Sequence, residues 1–500
     1  MSGPIFYAFV DYEDQYVQPL ILSALRSQLH CKFYKLISSL NECPQDAPLL
    51  QIRSYESIDF EISLSKSNSL FNAYIIRKAL IRKHYLSNTI SSWITKHPQS
   101  SLKYHFKPAV DFELDYAEFL DDALLEAFEL HEAFERNVGK APSEREWWIL
   151  KPGMSDRGQG IRIFSTEDEL RTIFEGWEAD NPDSDLEADE QHPEVAGSSH
   201  TSLSDHIMTS HLRHFIAQPY IHPPLLTPTA PYNNRKFHIR TYVVAAGALQ
   251  VYVYTPMLAL FASLPYAPPW ETHPTTPPDT DKAKTPDAAA ALQRFRNIHL
   301  TNTCAQQTPS NPYIDSTATI STTPNNTANS TTFPTPPTTP SNSSIHLLST
   351  LPLPPHQHTS LLSQIHTTTS ALFHAALAHP TNFQPLPQSF EIFGLDFLVS
   401  PTPTSPDRRA GEIDRREQGD PNRNRDQNNE LTAWLLEVNA FPDFAQTGDE
   451  LRDVVVKGLF EEVVGYVIAP HFGISASANR KGREGSERLV KVLDIDMGRR

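Results

Sequence analysis

Cysteine, glycine and positive charge are all scarce in this 500-residue chain. It carries three cysteines, 18 glycines, and 42 basic residues against 59 acidic ones, for a formal net charge of −17. Cys31, Cys43 and Cys304 cannot staple a scaffold of this size, and their spacing matches no zinc motif. The odd thiol count and the absence of an N-terminal signal-like segment predict a reducing, cytoplasmic setting. The acidic balance argues against wholesale coating of nucleic acid, so no direct nucleic-acid binding is expected. Glycine is outnumbered by 42 prolines. Globular chains show the reverse, about 5% proline against about 7% glycine. Part of the chain is therefore expected to lie outside folded domains, although about 150 residues per domain would leave room for three.

The prolines concentrate in insertions. Residues 179–207 are acidic, 267–290 and 305–344 are rich in Pro, Thr and Ser, and 400–430 run from prolines into charged and polar residues. None has enough apolar side chains to offset the entropy of ordering it, so all four read as disordered. Surface decoration is one role for them, and partner binding or phosphorylation, best at Thr308–Ser344, is another. Between them the patterning is that of folded chain. Strands are expected at Pro4–Val10, Trp147–Leu150, Ile161–Phe164, Phe215–Gln218, Phe237–Ala245, Leu249–Tyr254, Phe390–Val399 and Ala433–Val438. Helices are expected at Gln18–Leu29, Asn72–Tyr85, Asp115–Asn137, His356–Ala378 and Glu450–Val467. Val243–Leu264 has no charge and is long enough to span a bilayer, but Gly247, Gln250 and Pro256 interrupt it. It reads as buried sheet, with no membrane partner.

Four short segments carry chemistry. In Lys151–Ile161 (KPGMSDRGQGI), a lysine at a strand end precedes a loop with Gly153, Gly158 and Gly160. Glycines let backbone N–H groups approach phosphates, and Lys151 and Arg157 add positive charge. The order of residues is neither a P-loop nor a dinucleotide fingerprint. In Arg235–Arg240 (RKFHIR), period-2 alternation sets Lys236, His238 and Arg240 on one strand face, which suits an anion or a solvated sheet face. Asp396 lies within FEIFGLDFL, and Glu437 and Asn439 share a face within WLLEVNAFP. Buried carboxylates need a cation, either Lys or Arg or a metal. An Asp/Glu/Asn oxygen set suits Mg²⁺ held together with substrate phosphates.

Taken in order, WWILKPGMSDRGQGIRIF, FIAQPYI, RKFHIRTYVVAAGALQVYVYTPMLALFASLPY, HLTN, FEIFGLDFL and WLLEVNAFPDFAQTG resemble the tubulin–tyrosine ligase family. The resemblance runs from about Ile75 to about Val467 between the insertions and only loosely reaches the first 70 residues. LALFAS is most similar to the fungal branch, which includes the ligase-like domain of a yeast protein associated with processing bodies. The resemblance implies an α+β ATP-grasp fold with nucleotide between two lobes. A small α/β lobe would occupy 1–70, a central lobe 71–225, a C-terminal lobe 232–472 and a tail 473–500. It implies ATP and Mg²⁺ as cofactors. Lys78, Lys151, Gly158, Gly160, Gln218, Lys236 and Asn302 fall on the nucleotide side, and Asp396, Glu437 and Asn439 on the metal ligands. Arg240, Lys236 and Lys151 fall on the catalytic positions. The implied reaction joins a free amino acid, tyrosine by family default, to a protein tail such as that of α-tubulin through an acyl phosphate. Two residues depart from the family pattern. His238 stands where the family has aspartate, and Leu260 where it has the arginine used for a carboxylate. These departures keep open a second reading, a nucleotide-binding scaffold in processing bodies with mRNA-decay proteins as partners.

Overall fold

The computed structural model describes residues 5–66, 68–153, 160–179, 214–272, 286–301, 344–402, 430–474 and 488–496. The expected insertions 179–207, 305–344 and 400–430 fall almost wholly outside these residues, as do Arg157, Gly158 and Asn302. The expected disorder of 267–290 is corrected at both ends, where Pro269–Thr272 is a helical turn and residues 286–290 open the helix Pro286–His299; only 273–285 lie outside the described residues.

The first sheet is all parallel. Strands β1 (Phe6–Asp11), β2 (Tyr34–Ile37), β3 (Leu49–Arg53) and β4 (Ser69–Phe71) lie in the order β2-β1-β3-β4. Parallel neighbours need a crossover, and the helix Gln18–Gln28 supplies the one between β1 and β2. Its Leu20, Ile21, Ala24 and Leu25 recur at helical spacing and are buried, and proline opens its first turn.

The second sheet is antiparallel: β5 (Val110–Glu113), β6 (Trp148–Pro152), β7 (Arg162–Phe164) and β8 (His214–Pro219), in the order β5-β8-β6-β7. Helices Leu120–Glu126, Phe128–Asn137 and Glu167–Ala179 cover one face, closing a core of Phe112, Leu124, Leu130, Phe134, Trp148, Phe174 and Phe215.

The third sheet holds β9 (Arg235–Ala246), β10 (Gln250–Tyr254), β11 (Leu258–Pro265), β12 (Ile345–Leu347), β13 (Phe390–Pro401), β14 (Leu431–Ala440) and β15 (Leu489–Asp494). β9 is buried along its whole length. It pairs on one side with β13, and on the other with β11 through its first half and β10 through its second. The helix Pro355–Leu377 and residues Leu86, Ile90, Leu102 and Phe106 pack on one face. The C-terminal helical run and the first sheet pack on the other.

The structure departs from the expected elements in four places. Asn72–Tyr85 is not one amphipathic helix. Ile76 bridges to Gln384, Arg77 turns inward to a salt bridge with Glu391 at 3.0 Å, and helix resumes only at Lys78–Ile81 and Lys83–Lys96. The buried Arg77–Glu391 contact and the isolated bridge to Gln384 outweigh local periodicity here. Asp115–Asn137 breaks at Ala127, whose φ and ψ of −88° and 53° leave the helical region. The expected helix Glu450–Val467 contains two π-helical turns, Asp453–Lys457 and Val464–Ile468. Within the expected tail, β15 pairs with β10. The uncharged run Val243–Leu264 forms the end of β9, all of β10 and most of β11, and no described helix is long and apolar enough to cross a membrane.

Candidate functional site

Strand register brings the site together. Asp396 on β13 lies opposite Arg240 on β9 and opposite Glu437 on β14, so three charged groups from three strands align across one sheet face. Gly394 lies opposite Asn439, placing the amide on the same face one step along. The β13–β14 pairing shifts between Asp396 and Phe397, leaving Leu436 as the extra residue of a bulge. Bulges re-aim side chains. Here the bulge turns Glu437 toward Asp396, while Leu435 pairs with Phe397 in the core on the opposite face.

The polar contacts are dense. Arg240 grips Asp396 bidentately, with Nη2 donating to Oδ2 at 3.0 Å and Nε donating to Oδ1. Such fork pairing is strong as well as directional. Asn439 Nδ2 donates to Asp396 Oδ2 and to Glu437 Oε1, each at 3.3 Å. Gly394 makes the Arg240 placement feasible, because a Cβ there would lie 3.2 Å from Arg240 Cδ and 3.0 Å from Pro442 Cβ. From β6, Lys151 donates to Gln218 Oε1 at 3.0 Å, and Gln218 Nε2 donates to the Lys107 carbonyl at 2.9 Å. Lys236 donates to the Tyr220 hydroxyl at 3.1 Å. His238 Nδ1 lies 2.6 Å from Thr301 Oγ1, and its Nε2 stands 3.6 Å from Asp396 Oδ1 with no hydrogen-bond partner.

Electrostatics follow from burial and charge. Burial alone would push the Glu437 carboxyl up. Lys83, Lys151, the Asn439 hydrogen bond and Arg240 outweigh it and hold the group at about 2. Burial lowers Lys151, with Glu437 and Asp396 pulling back. Burial, reinforced by Lys151, brings Lys236 down to about 7. Burial also lowers His238 and keeps its imidazole neutral, against the pull of Asp396. Arg240 stays charged, its desolvation more than offset by Asp396.

Most of the residues expected to act together are close. Lys151, Gln218, Lys236, Arg240, Asp396, Glu437 and Asn439 form one connected set. Lys78 is outside it: its side chain is exposed and its ammonium lies 5.0 Å from the centre of the Tyr85 ring. Lys83, five residues later and half-buried, is the lysine that acts on Glu437. The basic pattern of RKALIRKH signalled a cation in this stretch without saying which one faces inward. Gly153 donates its N–H to the His214 carbonyl at 2.8 Å, and Gly160 adopts the left-handed φ of 69° that favours glycine. Gly158 and Asn302 lie outside the described residues. Leu260 is fully buried opposite His238 and packed in the apolar core, so no cation occupies that position.

The donor set can be tested against a nucleotide with a divalent metal. Among the described residues there is no cluster of three His, Cys, Asp or Glu side chains suited to a metal. The set here is two carboxylates and an amide, the kind of sparse oxygen site that Mg²⁺ shares with phosphates. Four cations (Lys83, Lys151, Lys236 and Arg240) converge around two carboxylates, an excess that fits a polyphosphate. Ile221, Leu398, Trp434 and Leu436 form a small apolar cluster beyond Gln218, with Lys107 Nζ 4.4 Å from the centre of the Trp434 ring. The residues present fit the group.

The tubulin-tyrosine ligase family model matches residues 65–331 and 337–473. A probable tubulin–tyrosine ligase of Schizosaccharomyces pombe is 35% identical over 488 residues, covering 97% of this chain and 96% of that protein. The probable tubulin–tyrosine ligase PBY1 of Saccharomyces cerevisiae is 34% identical over 494 residues, covering 96% of this chain. The chain spans about half the length of that relative, 54%. Among solved structures, the C-terminal domain of Kluyveromyces lactis Pby1, described as an ATP-grasp enzyme interacting with the mRNA decapping enzyme Dcp2, matches 98% of this chain and 99% of its own. The TM-score is 0.59 at 31% identity. The match takes in the first sheet, and the fold is the α+β ATP-grasp fold, one that binds ATP and a divalent metal in general. The chain belongs to the tubulin–tyrosine ligase family.

Proposed function

We propose that the chain is an ATP- and Mg²⁺-dependent ligase that joins an amino acid to a protein tail. The observation that carries this reading is the alignment of Arg240, Asp396 and Glu437 across β9, β13 and β14 beneath Lys83, Lys151 and Lys236. Lys151 and Lys236 hold the phosphates, Gln218 fixes Lys151 at the base edge, and the cluster of Ile221, Leu398, Trp434 and Leu436 receives the base. Asp396, Glu437 and Asn439 would hold Mg²⁺, which supplies neutralisation of the phosphoryl oxygens during transfer. A carboxylate oxygen attacks the γ-phosphorus, the bond to the bridging oxygen breaks, and ADP leaves with its electron pair. An incoming amine then adds to the acyl carbon, and inorganic phosphate departs as the amide forms. Arg240, fixed by its fork on Asp396, stands beside the acyl phosphate.

The direct test is incubation with Mg-ATP, labelled tyrosine and a detyrosinated α-tubulin tail. Label in the tail is expected; no transfer to this tail or to other acidic tails, with ATP still bound, would overturn ligase activity. The second reading, a nucleotide-binding scaffold in cytoplasmic processing bodies with mRNA-decay partners, would then stand. Its support is Leu260, whose burial in the core leaves that side of the site apolar, and the decapping-enzyme interaction in the description of the K. lactis protein.

A further inference from the structure

The end of the helix Pro286–His299 reaches the charged strand β9 at two points. Thr301 meets His238 directly, at 2.6 Å. His299 acts one residue removed: its Nδ1 lies 2.9 Å from the Tyr220 hydroxyl, which receives Lys236 Nζ at 3.1 Å. The same ammonium sits 4.4 Å from the centre of the Tyr220 ring, a cation–π distance. On the far side, His299 Nε2 lies 2.8 Å from Thr272 Oγ1, and that hydroxyl lies 3.2 Å from the Pro268 carbonyl. Tyr266 hydrogen-bonds the Tyr220 hydroxyl as well and is paired with His222 Nδ1 at 2.7 Å.

An ammonium can only donate, so the Tyr220 oxygen accepts from Lys236. The single Tyr220 O–H serves either Tyr266 or His299 Nδ1, and when it goes to Tyr266 the second lone pair of the Tyr220 oxygen takes the His299 Nδ1 hydrogen. In both arrangements His299 bridges Tyr220 and Thr272, one ring nitrogen donating and the other accepting. Lys236 spends one of its three donors on Tyr220 and keeps two for a ligand.

We propose that Tyr220 and His299 are positioning residues for Lys236, aiming its ammonium at the phosphates of a bound nucleotide through the chain Lys236–Tyr220–His299–Thr272. This rests on the reading of the site as an ATP site. Lys236 is buried and its charge is disfavoured there by burial and by Lys151, so a fixed acceptor on the side away from the ligand determines where the ammonium points.

Calorimetry with ATP and with adenosine, in the full chain with Mg²⁺, tests the proposal. The wild type is expected to bind ATP more tightly than adenosine. Tyr220→Phe keeps the ring but removes the hydroxyl, and His299→Leu removes the imidazole that bridges Tyr220 and Thr272. Each should weaken ATP roughly tenfold to a hundredfold, the worth of a hydrogen bond to a charged group, and leave adenosine unchanged. His299→Asn, whose amide offers both a donor and an acceptor to Tyr220 and Thr272, should recover most of the ATP affinity. Wild-type ATP affinity in Tyr220→Phe and His299→Leu, equal losses for ATP and adenosine, or no recovery in His299→Asn would each overturn the proposal. A wild type with no preference for ATP over adenosine would bring down the nucleotide site as well, so the two failures are told apart.

Discussion

Lys236 and Gly394 make the clearest claims at the level of single residues. Lys236 titrates near 7 because burial and Lys151 disfavour its charge. Its folded value lies below its unfolded one, so the folded state holds fewer protons between about pH 7 and pH 10.5, and stability from this group rises with pH across that window. Function moves the other way. Phosphate needs the ammonium, so ATP affinity should fall as pH rises above about 7, and Lys236→Met should flatten that dependence; an identical pH profile in the variant would contradict the assignment. Gly394 has a different task, leaving room for Arg240. A methyl group would press on Arg240 Cδ at 3.2 Å and Pro442 Cβ at 3.0 Å. Gly394→Ala should cost about 1–3 kcal/mol by overpacking, and nucleotide affinity should fall with it as Arg240 is pushed off Asp396. Unchanged thermal stability and affinity would show that the neighbours give way freely.

Among the elements, the strands that build the site were legible, whereas β2, β3, β4, β5, β12 and β15 had no counterpart among the expected strands and several helices broke where none was expected. Alternation in RKFHIR, FEIFGLDFL and WLLEVNAFP placed Lys236, His238, Arg240, Asp396, Glu437 and Asn439 on strands that do meet. Simple alternation cannot register the bulge at Leu436, which sends Leu435 and Glu437 to opposite faces although they are two residues apart. Lys78 and Lys83 show the same limit. Both sit in a basic stretch, and local periodicity does not tell that Lys78 stays exposed while Lys83 acts on Glu437. The C-terminal helix carries a third such feature. Within its π-turn, the Val454 carbonyl accepts from the Tyr254 hydroxyl at 3.2 Å. At Gly458 a Cβ would stand 2.6 Å from that hydroxyl and 2.7 Å from Arg488 Nη1. Gly458→Ala should therefore destabilise by about 1–3 kcal/mol in a thermal melt, and a variant as stable as wild type would show that the turn repacks.

In the molecule as a whole, one strand from the expected tail stitches two cores together. Leu489 of β15 is buried with the C-terminal helices and the first sheet, while Leu493 is buried with the helix Pro355–Leu377 on the opposite face. Truncation after Ile474 removes both and opens the edge of β10. The loss should be at least that of two buried leucines, about 2–5 kcal/mol each, seen as a lower Tm; an unchanged Tm would mean that β15 contributes nothing to either core. The same architecture converges three strands of the third sheet and two of the second on a single centre. The family motifs gave its membership, whereas its charge balance depends on Lys83 and on side chains assembled from residues 83 to 439. Glu437 is the keystone, held ionised at about 2 by the cations around it. The most direct measurement is calorimetry of ATP binding, with Mg²⁺ and with EDTA, in wild type and Glu437→Gln. The account predicts Mg²⁺-dependent binding in wild type, weakened roughly tenfold or more in the variant. Equal affinity in both proteins, with or without Mg²⁺, would contradict it.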